Sequence, residues 1–413
     1  MLEVFPIRIV KGPSTGQDLK ILNRILVRDT IRKLGPISRH EISHKTGLTP
    51  STITVITSEL IKQNIIKETG YGDSRGGRRP ILLELNPKVA YILAVRIQKG
   101  EVLIGLFDLA CNILSKQSYA FDSISPEEFG QIISDSFNWL CQSNNIDPKK
   151  VLWCSIASPG LIDSRKGVVV RSSNLNWHNV NLKDVIAKKL HKLTIHIEQN
   201  VKAASLAELE WGCARGYSNF IYLNLSVGIS AAFVINGNIF SGEKGFAGEI
   251  GHSVLYPENG PLCSCGRNGC FEAACGVNSI IKRVKKDVPE EDFLELSLVK
   301  DKITIDDIVT PPLSENATVR RILTEVGYLI GICVGNLLNS FNTNLVILGG
   351  DLAKAGEVII DPITQCLKER VLDEIIDEVR ILNSRMHEDP QLLGAAALAL
   401  QKTFAMEDWD IQA

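Results

Sequence analysis

Between Gly248 and Glu272 the chain gathers one imidazole and three thiols: His252, Cys263, Cys265 and Cys270. Two carboxylates, Glu249 and Glu272, bracket them. A tetrahedral zinc site takes four nitrogen or sulfur ligands, and one histidine with three cysteines is a standard structural set. Cys-x-Cys-x4-Cys on a glycine-rich loop is a poor core pattern, and Gly266 and Gly269 let the loop curl until its sulfurs meet. The reading is zinc held by His252, Cys263, Cys265 and Cys270. Four ligands leave no open position, so such a metal is structural rather than catalytic. Cys275 remains open as a substitute for one of the four.

A second chemistry lies near the other end. Ser38 stands three residues before Glu41, a capping box for a helix Arg39 to Thr46 that stops at Gly47. Thr49-Pro50 then opens another helix, with Ile53, Ile56, Leu60 and Ile61 as its inner stripe. A longer helix, about Asp18 to Leu34, precedes both. This is the helix-turn-helix arrangement, and the second helix carries Ser51, Thr52 and Thr54 at its leading end, side chains able to reach base edges. Two strands follow, Ile65 to Glu68 and Ile81 to Leu85. The glycine-rich loop between them bears Arg75, Arg78 and Arg79, a wing able to lay guanidinium groups on phosphates. Arg39 joins the candidate DNA contacts.

Charge agrees with that division. Residues 1–88 hold 15 Lys+Arg against 8 Asp+Glu, while the rest of the 413-residue chain holds 30 against 39. A basic head on an acidic body points to a head that meets a polyanion. The length exceeds one core, so more than one domain is expected. No apolar run reaches bilayer length and no signal pattern opens the chain, so the expectation is a cytoplasmic protein with reduced thiols and no membrane partner.

The stretch Gly-Glu-Ile-Gly-His followed by Cys-x-Cys-Gly-x-x-Gly-Cys-x-Glu resembles the signature of the ROK family, the bacterial sugar kinases and sugar-responsive repressors. The head, with its Gly-Arg-Arg-Pro run, is similar to the N-terminal domain of the family's repressors. The resemblance implies an α/β fold: a winged helix-turn-helix at 17–87, after a loose arm at 1–16, then a two-lobed actin-like (ribonuclease H-like) sugar-binding body at 88–413. The smaller lobe would take about 88–205 plus the C-terminal helix, and the larger about 206–385. It also implies sugar contacts from Asn174, Gln199, Asn200, Glu249, His252 and Glu272, with Glu249 and His252 on one helical face. Asn174-Leu-Asn-Trp177 offers an amide and an indole for a sugar wall, or a turn with a buried tryptophan.

Three kinase requirements are missing. The family's Asp-x-Gly-Gly-Thr hairpin reads Ala94-Val-Arg96-Ile-Gln-Lys-Gly100 here. Asn200 stands where the kinases place their general base, and an amide cannot accept a proton near neutral pH. The phosphate turn reads Ser226-Val-Gly-Ile-Ser-Ala-Ala232, with one glycine of its set left. The expectation is therefore a repressor controlled by a sugar or sugar phosphate, binding operator DNA as a dimer or tetramer and performing no catalysis. The alternative is an active sugar kinase with an added DNA-binding head. The effector's identity is open, with xylose among the candidates, and so is the partner of Lys202.

Overall fold

The computed structural model describes residues 15–72 and 79–406. Thr15 and Asp18 cap each other at the start of α1 (Gly16–Leu34). After Gly35-Pro36, a strand of two residues, β1 (Ile37–Ser38), delivers Ser38 as the cap of α2 (Arg39–Thr46), and Glu41 closes the capping box. Gly47, at φ 72°, makes the left-handed turn that a side chain would resist. Thr49 then caps α3 (Pro50–Lys62). β2 (Ile66–Tyr71) and β3 (Ile81–Leu85) pair antiparallel, and β1 adds to β3. Ile31, Ile42, Ile53, Leu60 and Leu83 close a separate core beneath these elements. Arg75 and Arg78 fall outside the described residues, as do residues 1–14.

The turn Pro87–Val89 leads into β4 (Tyr91–Gln98), β5 (Glu101–Asp108) and β6 (Ile113–Ala120), an antiparallel meander. α4 (Pro126–Ser143) crosses to β7 (Val151–Ser158), which runs parallel to β4. A small sheet of β8 (Leu161–Asp163), β9 (Val168–Ser172) and β10 (Trp177–Val180) follows. Then α5 (Leu182–Ala187) leads to β11 (Thr194–Gln199), parallel to β7, and to α6 (Asn200–Trp211). The sheet order is β11-β7-β4-β5-β6. Runs such as Leu93, Val95 and Ile97 are buried against α4 and α5, which is why the strands read as continuous apolar stretches.

The same plan recurs. β12 (Phe220–Leu225), β13 (Ile229–Ile235) and β14 (Asn238–Phe240) form a second antiparallel meander. Past α7 (Phe271–Cys275), α8 (Val277–Asp287), α9 (Glu290–Glu295) and α10 (Ile305–Val309), the long α11 (Ala317–Phe341) leads to β15 (Leu345–Gly349). α12 (Glu357–Arg370) and α13 (Asp373–Ile376) then precede β16 (Arg380–Asn383), giving the order β14-β13-β12-β15-β16. Gly327 and Gly331 let α11 close on α12, since a Cβ at Gly331 would sit 2.6 Å from Cys366 Cβ. α11 is long and apolar enough to cross a membrane, but its stripe from Val319 to Leu338 lies in this core.

The chain divides into two units, Met1–Ala203 with Gln391–Ala413 and Ala204–Pro390. The last helix, α14 (Pro390–Ala405), rejoins the first unit. Its Gly394 meets the Ala203 backbone so closely that a Cβ would fall 1.8 Å from the Ala203 oxygen. Its far end reaches α1, where the fully buried Arg28 donates to the carbonyls of Phe404 and Met406 at 2.7 and 2.6 Å.

Candidate functional site

The metal ligands expected from the sequence come together. His252, Cys263, Cys265 and Cys270 place their ligand atoms within 4.8 Å of one another. Cys265 Sγ is 3.7 Å from Cys270 Sγ, and Cys263 Sγ is 3.7 Å from His252 Nδ1. Bonds of about 2.3 Å to sulfur and 2.0 Å to nitrogen put tetrahedral ligands roughly 3.5–3.8 Å apart, so the spacing fits one zinc-sized cation. Gly269, at φ 77°, packs on the Tyr256 carbonyl where no side chain would fit. Burial and the neighbouring thiols push Cys270 up to about 12, so a cation is what would let these sulfurs act together as thiolates. Cys275 is not a substitute ligand. It is buried on α7 outside the cluster, and burial raises its thiol.

The bracketing carboxylates take different places. Glu249 precedes a single 3-10 turn, Ile250–His252, so the expected helical face is one turn only. Glu249 itself stands outside the turn, at φ −74° and ψ 45°. Glu272 accepts the Ile229 amide at 3.0 Å and the Ser264 hydroxyl at 3.4 Å, tying the cysteine loop to the start of β13. That amide closes the Ser226–Gly228 turn, the stretch resembling a phosphate cradle. Ser226 Oγ donates to Asp351, and Asn224 Nδ2 donates to the Gly228 carbonyl. The Ser226 hydroxyl, the Gly228 carbonyl and the Ile229 amide are thus bonded within the protein itself.

In the first unit, the hairpin β4–β5 is closed in a similar way. Arg96 is 3% exposed and its Nη2 lies 2.6 Å from Glu101 Oε2, while Ser118 donates to the other carboxylate oxygen. Lys202, 1% exposed, lies 3.8 Å from Glu198, which also accepts the Gln199 amide at the mouth of α6. The partner of Lys202 is thus an internal carboxylate. Gln199 is buried at the end of β11. Asn200 Nδ2 donates to the Ile97 carbonyl at 3.3 Å, and its buried Oδ1 has no hydrogen-bond partner among the described residues. Asn174 is exposed in the β9–β10 turn, but Trp177 is 3% exposed and gives its indole N–H to the Ile124 carbonyl. The indole belongs to the core and is no sugar wall.

On the head, Ser51 and Thr54 are exposed along α3 and Thr52 is half-buried; the Ser51 and Thr52 hydroxyls each lie 2.9 Å from the Thr49 hydroxyl, and Thr54 donates to the Pro50 carbonyl. Arg79 is exposed at the foot of the loop. Arg39 turns inward, Nε to Thr57 and Nη2 to Glu68, and braces α2 against α3 and β2. The sequence reading passed over Val55, 55% exposed one turn beyond Ser51, where an apolar side chain suits a thymine methyl. Its signal was an apolar residue off the inner stripe.

Residues 92–402 match the ROK family model. The chain belongs to the ROK family. It is 30% identical over 386 residues to the xylose repressor of Bacillus spizizenii, covering 93% of this chain and 96% of that one. The DNA-binding transcriptional dual regulator NagC of Escherichia coli is 26% identical over 380 residues, 92% of each chain. A solved ROK family transcriptional regulator, described as a homolog of the E. coli MLC protein, superposes with a TM-score of 0.81 at 25% identity, covering 94% of this chain and 97% of its own. A ROK glucokinase from Streptomyces griseus, solved with glucose and AMPPNP, gives 0.65 at 24% identity and covers 76% of this chain and 100% of its own. The α/β body therefore has the ROK actin-like fold. The regulators named here extend over more of the chain than that kinase does.

Proposed function

We propose that this chain is a sugar-responsive transcriptional repressor: a winged helix-turn-helix carried on a ROK body that binds a sugar or sugar phosphate and transfers no phosphate. The carrying observation is that the groups resembling nucleotide-binding elements are closed on internal partners, with Arg96 on Glu101, Ser226 on Asp351 and the Ile229 amide on Glu272. The named repressors among its relatives, similar along more than nine-tenths of the chain, support the regulatory reading. α3 would enter the major groove with Ser51 and Thr54 toward bases, while Arg79, Arg75 and Arg78 would strengthen binding through phosphates.

Sugar hydroxyls would meet residues among Asn174, Gln199, Asn200, Glu249, His252 and Glu272. The unpartnered Asn200 Oδ1 is an acceptor suited to a hydroxyl proton. His252, Cys263, Cys265 and Cys270 would hold a structural zinc that fixes the loop carrying Glu272's neighbours. Two half-sites one helical turn apart call for a homodimer or higher symmetric assembly in the cytoplasm. α14 supports a link from pocket to head, because its ends touch Ala203 and Arg28. A coupling of about 1–3 kcal/mol would change operator affinity some 5–150-fold.

The test is a gel shift on promoter fragments from the protein's own genome, titrated with sugars and sugar phosphates, beside a coupled ATPase assay on the same sugars. Release of DNA by one sugar with no ATP turnover is expected. Steady turnover on any of them would transfer the case to the kinase reading.

A further inference from the structure

The acidic body contains a strongly basic stretch. Residues 148–197 hold nine Lys+Arg against two Asp+Glu, a surplus equal to that of residues 1–88. Six of its basic side chains collect at one edge of the first unit's sheet. Lys149 and Lys150 close the 3-10 turn that feeds β7, and Lys188, Lys189, His191 and Lys192 lie between α5 and β11; all six are exposed. β11, β7 and β4 are parallel neighbours, so their starts at Thr194, Val151 and Tyr91 share that edge.

The head joins the body at the same edge. Its junction is hydrogen-bonded on both sides: the Asn86 amide to the Ile65 carbonyl of the head, and the Leu109 amide of the body to the Pro87 carbonyl. Asn86 Nδ2 adds a bond to Asn64 at the end of α3. With strands about 4.8 Å apart, the cations begin within roughly 10 Å of this junction.

We infer that this lysine edge is a second DNA-contact surface, taking the phosphate backbone of duplex that flanks the site read by the head. The inference rests on the DNA-binding reading above. Lysines are point charges without the fork geometry that selects one partner, as suits backbone contact. Among the described residues none of these lysines is in an ion pair; Lys189 gives its ammonium to the neutral Gln131. The stretch exposes no large apolar side chain. An acidic protein partner would be expected to need aromatic or aliphatic anchors, and a membrane contact would use the same.

The experiment uses the full-length protein and a promoter fragment that it shifts, trimmed to its footprint or extended by about 10 base pairs, one helical turn, on each side. Wild type should bind the extended fragment several-fold more tightly at low salt, with the gain vanishing as salt rises. A Lys149→Gln/Lys150→Gln/Lys192→Gln variant should bind both lengths alike. Its log affinity–log salt slope on the extended fragment should be lower by about 2–3, near 0.9 per lost contact. Equal binding of both lengths by wild type, or an unchanged length gain in the variant, overturns the second surface while leaving the head's role intact. Lysine-dependent capture by phosphatidylserine vesicles or an acidic peptide without a length gain overturns it in favour of that partner. If no fragment is bound at any salt, the DNA-binding reading falls first and this one with it.

Discussion

The cysteine loop and the two turns that resemble nucleotide-binding elements place their polar groups differently. On the loop, four donor atoms lie within 4.8 Å of one another, close enough for one cation to be bound by them all. At the hairpin β4–β5 and the turn after β12, Arg96 Nη2 and the Ser226 hydroxyl are each bonded to a carboxylate of the chain. Buried polar groups need a partner, so a group already bonded within the chain has less to offer a ligand than one held ready for it.

Metal removal should have the largest effect. Cys270→Ser, or exhaustive chelation, should reduce bound zinc from one per chain to none and lower the thermal midpoint by about 10 °C, some 3–5 kcal/mol. Sugar-dependent release of DNA should go with it. A variant that keeps its midpoint and its sugar response without zinc would show that the loop needs no cation. Next comes Arg96→Ala. It strips a buried guanidinium from Glu101, whose side chain is 36% exposed and stays bonded to Ser118, so the loss should be about 2 kcal/mol rather than the 3–5 of a fully buried pair. Arg96→Met with Glu101→Gln should recover most of that in urea denaturation. No cost for either would mean the hairpin is not held by this pair.

The ligand set was readable because it lies within one short stretch, where spacing alone reports convergence. The helices of the head were readable from their caps: Ser38 with Glu41, Gly47, and Thr49 with Pro50 act locally. What escaped depends on contacts distant in sequence. That Trp177 is core is decided by Phe129 and the Ile124 carbonyl, and that Lys202 is neutralised internally depends on the turn into α6. β1 is too short for a period-2 pattern. Glu249 and His252 looked helical because a three-residue spacing does not distinguish one 3-10 turn from a helix.

His196, on β11 of the same unit as Arg96, is a buried polar group left without a match. Its Nε2 has no hydrogen-bond partner among the described residues. Burial first, then Lys402 and Lys183, push it down from 6.5 to about 3. The unfolded chain takes up the proton below 6.5 and the folded one does not until about 3, so stability is complete above 6.5 and is lost as the pH falls through that window. At pH 5 the loss should reach about 2 kcal/mol, at 1.4 per unit. His196→Gln should flatten the fall in urea midpoint between pH 7 and pH 5; equal slopes in the two proteins would assign the acid lability elsewhere.

Asn200→Asp is the mildest change and the most direct probe of the proposed loss of phosphate transfer. It restores the carboxyl that the family's kinases use as a base. Here, however, Asn200 Nδ2 donates to the Ile97 carbonyl, and a carboxylate at that place would meet the carbonyl oxygen lone pair to lone pair. The cost should be about 1 kcal/mol near neutral pH, falling as the new carboxyl is protonated. Phosphate transfer should still be undetectable, because the Arg96–Glu101 bridge and the Ser226–Asp351 bond remain. Sugar affinity should weaken only a few-fold, since one oxygen acceptor is kept. Were this single substitution to yield ATP-dependent sugar phosphorylation, the nucleotide side would be intact but for its base, and the contrast with the cysteine loop would collapse.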